Sequence, residues 1–125
     1  MTEEGQVERF RKSLRHALRG LSYVAKNERN FQIELAVALV ILLLIFILKL
    51  ENWEAVILLL LIAGVLIAEL GNTVVERVVD ILKPRIHPYA RLIKDIMAAT
   101  VLISSIAAVM IGLIIFLPYI KEFIR

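Results

Sequence analysis

The sequence predicts an all-α membrane protein: an N-terminal amphipathic interfacial helix followed by three transmembrane helices, in a single domain over residues 1–125. Three observations carry this. Hydrophobic residues make up 60% of the 125, and the mean hydropathy is +0.82, whereas soluble domains are about 45–50% apolar. Uncharged apolar runs cover Leu35–Leu48, Ala55–Ala68 and Ile96–Leu117. The charged residues, 15 Lys and Arg against 12 Asp and Glu, are confined to the zones before, between and after these runs. The composition excludes a disordered tail and an ordinary soluble enzyme. Zero cysteines exclude a disulfide scaffold and thiolate metal sites, and two histidines, His16 and His87, are too few for a histidine-rich zinc site.

Residues 1–8 are polar and expected to fray, and the charged stretch after them is unlike a signal peptide. An amphipathic helix is expected over about residues 6–28. Phe10, Leu14, Leu18, Leu21 and Ala25 recur at spacings of four and three, while Arg9, Arg11, Lys12, Arg15, Arg19 and Lys26 fill much of the remainder. Such a helix lies in the membrane interface. Its cations serve as a positive-inside anchor, as a phosphate-binding face, or as both. Spans are expected at about 31–50, about 54–82 with a polar extension, and about 89–118, Pro84 and Pro88 separating the last two. Lys and Arg number 7 before the first span, 1 in the first loop, 5 in segment 77–94 and 2 in the tail. The positive-inside rule therefore places the N-terminus and segment 77–94 in the cytoplasm, and the C-terminus outside.

The second apolar run is short for a bilayer, so the residues after it lie at membrane depth. Glu69, Asn72, Glu76 and Asp80 follow at spacings of three, four and four. At about 100° per residue they fall within roughly 80° of one another on one helical face, along ~16 Å of axis. A carboxylate in a span is costly and marks a functional site by default. Glu69 is deepest, where a lipid hydroxyl can reach it and desolvation makes a carboxylate a better general base. Glu76 lies nearer the cytoplasm, where hydrated Mg²⁺ and phosphates enter, and Mg²⁺ favours one or two carboxylates plus phosphate oxygens. Asn72 can hydrogen-bond to either. Two rival readings stand beside this one: an interhelical salt-bridge cluster that only fixes packing, and a small transport or non-catalytic membrane protein built on Glu69. On the third span, Arg91, Lys94, Asp95, Ala98, Ser105, Ala108 and Gly112 share roughly one side, so a face suited to close helix packing would bring Lys94 towards the carboxylates.

These residues form a pattern: Glu69-Leu70-Gly71-Asn72-Thr73-Val74-Val75-Glu76-Arg77-Val78-Val79-Asp80, then His87-Pro88, then Lys94-Asp95-Ile96-Met97-Ala98-Ala99 with Val101-Leu102. It resembles the signature of the small prokaryotic integral-membrane lipid kinases, the diacylglycerol kinase and undecaprenol kinase family. Arg19-Gly20-Leu21 and Asn27-Glu28 with Phe31 also fit, so the similarity runs over roughly residues 15–117. The resemblance implies a lipid kinase of the bacterial cytoplasmic membrane that uses MgATP to phosphorylate a lipid alcohol, undecaprenol or diacylglycerol. It implies a homotrimer with active sites shared between chains. It assigns Glu69 as the base, Glu28 and Glu76 as metal ligands, and Lys94 to the ATP phosphates. Asn72 joins the catalytic cluster, Asp95 supports the nucleotide site, and Ala98 lies with Glu69 on the lipid. Arg9, Arg15, Arg19, Arg85 and His87 are expected to line the nucleotide pocket. Departures are Val74-Val75 in place of a small-plus-aliphatic pair, Ile93 for alanine, and Gln32 where arginine is common.

Soluble-kinase machinery is missing from the sequence. The five glycines form no GxxxxGK[ST] and no GxGxxG, and neither HRD nor DFG occurs. Three spans account for the basic charge without a nucleic-acid partner.

Overall fold

The computed structural model describes residues 2–82 and 88–125. Its elements are four helices, α1 (Glu3–Asn27), α2 (Arg29–Ile47), α3 (Asn52–Leu82) and α4 (Pro88–Ile124). Among the described residues there is no strand. The last three are each long and apolar enough to cross a membrane, so the expected architecture of one surface helix and three spans is the observed one.

α1 begins at Glu3, within the segment expected to fray. The Thr2 side chain caps it, accepting from the Gly5 N–H at 3.2 Å, and Glu3 and Glu4 sit favourably in the first turn. Its apolar stripe of Phe10, Leu14, Leu18 and Leu21 is exposed, as an interfacial helix requires. Val24 near its C-terminal end is buried where α1 meets α2. A single extended residue, Glu28 (φ −107, ψ 111), separates the two helices. Gln32 holds this corner: its side-chain amide donates to the carbonyls of Ala25 (3.0 Å) and Lys26 (3.2 Å), which the end of α1 leaves open. At this position the glutamine therefore serves to cap the end of α1.

α2 ends at a turn in which Lys49 takes a left-handed conformation (φ 55). Leu50 N–H reaches Ile45 O (3.1 Å) and Lys49 N–H reaches Phe46 O (3.4 Å), the pairing of a Schellman end. α3 then starts with one half of a capping box, Glu54 Oε1 accepting from the Glu51 N–H at 3.1 Å. The Tyr119 hydroxyl of α4 donates to the same Glu54 oxygen, and Trp53 donates to Glu51. The far end of α4 is thereby tied to the start of α3. α4 runs past the expected limit near 118, with Pro118 inside the helix.

α3 packs most extensively on α4, α2 packs on α3, and α1 on α2. The bundle has two unlike halves. Near the α2–α3 turn, Leu58, Ile115 and Phe116 form an apolar core against Ile41, Leu44 and Ile111. Towards α1, burial falls on Phe31 (1% exposed) and on the polar residues Glu69, Asn72 and Thr73. The small-residue side of α4 does not close along its whole length. Ala108 and Gly112 line an open apolar cleft with Ile41 and Leu44, and a Cβ on Gly112 would meet nothing within 4 Å. Close approach occurs instead at Gly71, where a Cβ would stand 3.6 Å from Met97.

Candidate active site

At 1.5 Å per residue α3 is about 46 Å long, well over the ~30 Å of a hydrocarbon core. The excess carries its last three turns beyond the apolar zone at the α1 end. Glu69, the deepest of the stripe, is 3% exposed. The hydroxyl of Thr73 donates to the Glu69 carbonyl at 3.1 Å, which fixes the helix at this turn and leaves the carboxylate for other work. The Asn72 amide donates to Glu76 Oε1 at 3.4 Å and lies within reach of the Glu69 carboxylate. It therefore bridges the two acids, as its spacing implied.

Tertiary packing adds two more carboxylates. Glu28, at the α1–α2 corner, and Glu34, in the second turn of α2, both act electrostatically on Glu69. The resemblance assigned Glu28 and Glu76 to a metal, and both lie close enough to Glu69 to act on its charge. Glu34 was not singled out in the sequence. Its signal was a carboxylate directly before an apolar run, which reads as the edge of a span; only the packing of α2 on α3 sets it beside Glu69.

The cluster has unsatisfied oxygens. Glu34 Oε2 and Asn72 Oδ1 are buried and without a hydrogen-bond partner. Buried acceptors of this kind are costly unless a donor or cation meets them. The donors are all hard oxygens, which suits Mg²⁺. Among the described residues no three acidic or histidine side chains converge to hold a metal unaided. A cation here would need further oxygens, which phosphates could supply.

Positive charge arrives from two directions. Arg77 donates to Glu28 Oε1, and Lys94 donates to Asp80 Oδ1 at the end of the stripe. The sequence brought Lys94 to the carboxylate face, and Asp80 is where it lands. Asp95 and Ala98 are exposed on α4, with no described hydrogen bond or ion pair joining Asp95 to the cluster. Arg85 and His87 lie outside the described residues.

The arrangement is a buried carboxylate, a bridging amide, two acids at the solvent edge and a lysine presented beside them. It can take a proton from a hydroxyl and hold a cation with its attached anion. Comparison with known proteins agrees with the motif. The family model described as prokaryotic diacylglycerol kinase matches residues 15–116. An undecaprenol kinase of Bacillus subtilis (strain 168) is 41% identical over 113 residues, 90% of this chain and 92% of that protein. A diacylglycerol kinase of Synechocystis is 36% identical over 107 residues, covering 85% of this chain and 61% of that longer protein. The buried stripe, the three spans and these matches converge: the chain belongs to the prokaryotic diacylglycerol kinase family.

Proposed function

We propose that this membrane lipid kinase transfers the γ-phosphoryl group of MgATP to the hydroxyl of undecaprenol or diacylglycerol at the cytoplasmic face of the bacterial cytoplasmic membrane. The observation that carries it is Glu69, buried to 3% exposure at the inner limit of an apolar span and surrounded by three further acids. In this reading Glu69 accepts the proton of the lipid hydroxyl as its oxygen bonds to the γ-phosphorus. The bond from that phosphorus to the bridging oxygen breaks, and ADP leaves with the electron pair. Asn72 orients Glu69 against Glu76.

Glu28 and Glu76 would hold Mg²⁺, whose chemistry when bound is to neutralise phosphate charge. Lys94, presented by Asp80, offsets charge that develops on the transferring group. Asp95, Arg85 and His87 belong to the nucleotide side, and Ala98 leaves room for the lipid. The N-terminus is cytoplasmic and the C-terminus outside, in keeping with the Lys and Arg distribution. The assembly is a homotrimer with shared sites, as the resemblance implies, and three spans are few to enclose a nucleotide and a lipid, which supports a composite site. A transport or purely structural protein built on Glu69 is disfavoured by the family match.

The test is transfer of labelled phosphate from MgATP in mixed micelles offering both lipids side by side. Label on either lipid, lost in Glu69→Gln, is the expected result and names the acceptor. A folded protein that labels neither contradicts the reading.

A further inference from the structure

Glu28, read above as a metal ligand, is held by Arg77 of α3, 49 residues along the chain. Arg77 is one position off the carboxylate stripe, so the stripe does not explain it. It stands where three elements meet. Besides Glu28 at the α1–α2 corner, its guanidinium hydrogen-bonds to Tyr23 of α1 and feels the charge of Glu76, its neighbour on α3. It is the described cation paired with the Glu28–Glu34–Glu69–Glu76 cluster, since Lys94 is engaged by Asp80.

Two properties of this pair are chemically informative. Arg77 takes one oxygen of Glu28, Oε1, and sets a positive charge beside the other, so a divalent cation approaching either oxygen is opposed by the guanidinium. The metal and Arg77 therefore compete for Glu28. The pair also sits at the solvent edge, with 47% of the Arg77 side chain and 20% of the Glu28 side chain exposed. Pairs this open are weak and readily exchanged. A guanidinium released there is surrounded by the phosphates that come with the metal, and its planar fork matches phosphate oxygens.

We propose that Arg77 is an exchangeable counter-ion: it yields Glu28 to the metal that arrives with ATP and turns onto the nucleotide's phosphates, so that metal and nucleotide bind as one unit. Free divalent ions are disfavoured at Glu28 because they must displace Arg77 without offering it a phosphate. Tyr23 keeps the guanidinium near the site during the exchange. This rests on Glu28 and Glu76 being the metal ligands.

The test uses Mn²⁺ as the probe, its binding to the full chain in detergent micelles followed by electron paramagnetic resonance, with and without a non-hydrolysable ATP analogue. Arg77→Ala is expected to tighten binding of Mn²⁺ alone by about two- to fivefold, the range of an exposed ion pair. It is expected to weaken binding of the analogue by about tenfold or more, as loss of a charged hydrogen bond does. Arg77→Lys should recover part of the nucleotide affinity, and Arg77→Gln, should Arg77→Ala not fold, should give the same two opposed signs. Unchanged Mn²⁺ affinity, or weakening of metal and nucleotide alike, overturns the exchange. Glu28→Gln separates the two levels. If it leaves Mn²⁺ binding intact both with and without nucleotide, the ligand assignment has failed. If it weakens Mn²⁺ while Arg77→Ala does nothing, the assignment stands and the counter-ion role is refuted.

Discussion

A carboxylate buried among three others at the edge of a membrane span is under strong electrostatic pressure, and each neighbour of Glu69 answers part of it. Asn72 bridges Glu69 to Glu76, Arg77 neutralises Glu28, and Asp80 takes Lys94. Lys94→Ala removes a charge from the phosphate side and should lower kcat/KM by about 10²-fold, measured as MgATP dependence of lipid phosphorylation. Glu34→Gln should move stability and activity in opposite directions. It removes a like charge beside Glu69 from a buried oxygen that lacks a partner. Unfolding in detergent should then need about 1 kcal/mol more, while turnover falls. The 69–72–76–80 stripe was legible in the sequence because helical spacing alone places those four residues on one face. Glu34 and Arg77 were not, because their roles arise from contacts between helices, and the spacing of residues within one helix carries no information about them.

At the scale of elements, the ends of the helices carry the testable chemistry. Lys49 adopts a left-handed conformation at the end of α2, which costs a side-chain-bearing residue roughly 1 kcal/mol relative to glycine. Lys49→Gly should recover most of that, seen as a raised midpoint of thermal unfolding with activity unchanged. Tyr119→Phe removes the donor by which α4 grips Glu54 at the start of α3. Glu54 is buried and its oxygen keeps only the Glu51 N–H, so loss of this hydrogen bond to a charged group should cost about 1.5–3 kcal/mol, measured in the same unfolding experiment, with lipid phosphorylation retained. The three spans were plain from their uncharged runs. Their limits were less so. Thr2 starts α1 earlier than the polar composition of residues 1–8 suggested. Lys49 closes a Schellman end that glycine usually marks, so no composition cue announced it. Pro118, a residue that ordinarily breaks a helix, lies inside α4 because the chain continues helically to Ile124.

For the whole molecule, the separation of an apolar half from a polar half is the feature that makes a kinase of a three-span bundle. Leu58, Ile115 and Phe116 hold the end near the α2–α3 turn, and in the proposed site α3, longer than a hydrocarbon core is thick, would carry the acids to where soluble nucleotide meets lipid. The open cleft beside Ala108 and Gly112 and the extensive exposed apolar surface of the spans suit further packing in the membrane. Native mass spectrometry from detergent should release assemblies of three 14.2-kDa chains; a monomer fully active by itself would refute the trimer. Nucleotide binding and lipid phosphorylation, measured side by side on Glu69→Gln, probe the assignment of the base most directly. MgATP affinity within about twofold of the parent, with turnover lowered by at least about 10²-fold, is the expected result. Phosphorylation at the parent rate would contradict Glu69 as the base, and loss of nucleotide binding together with turnover would make it a structural or metal-binding residue instead.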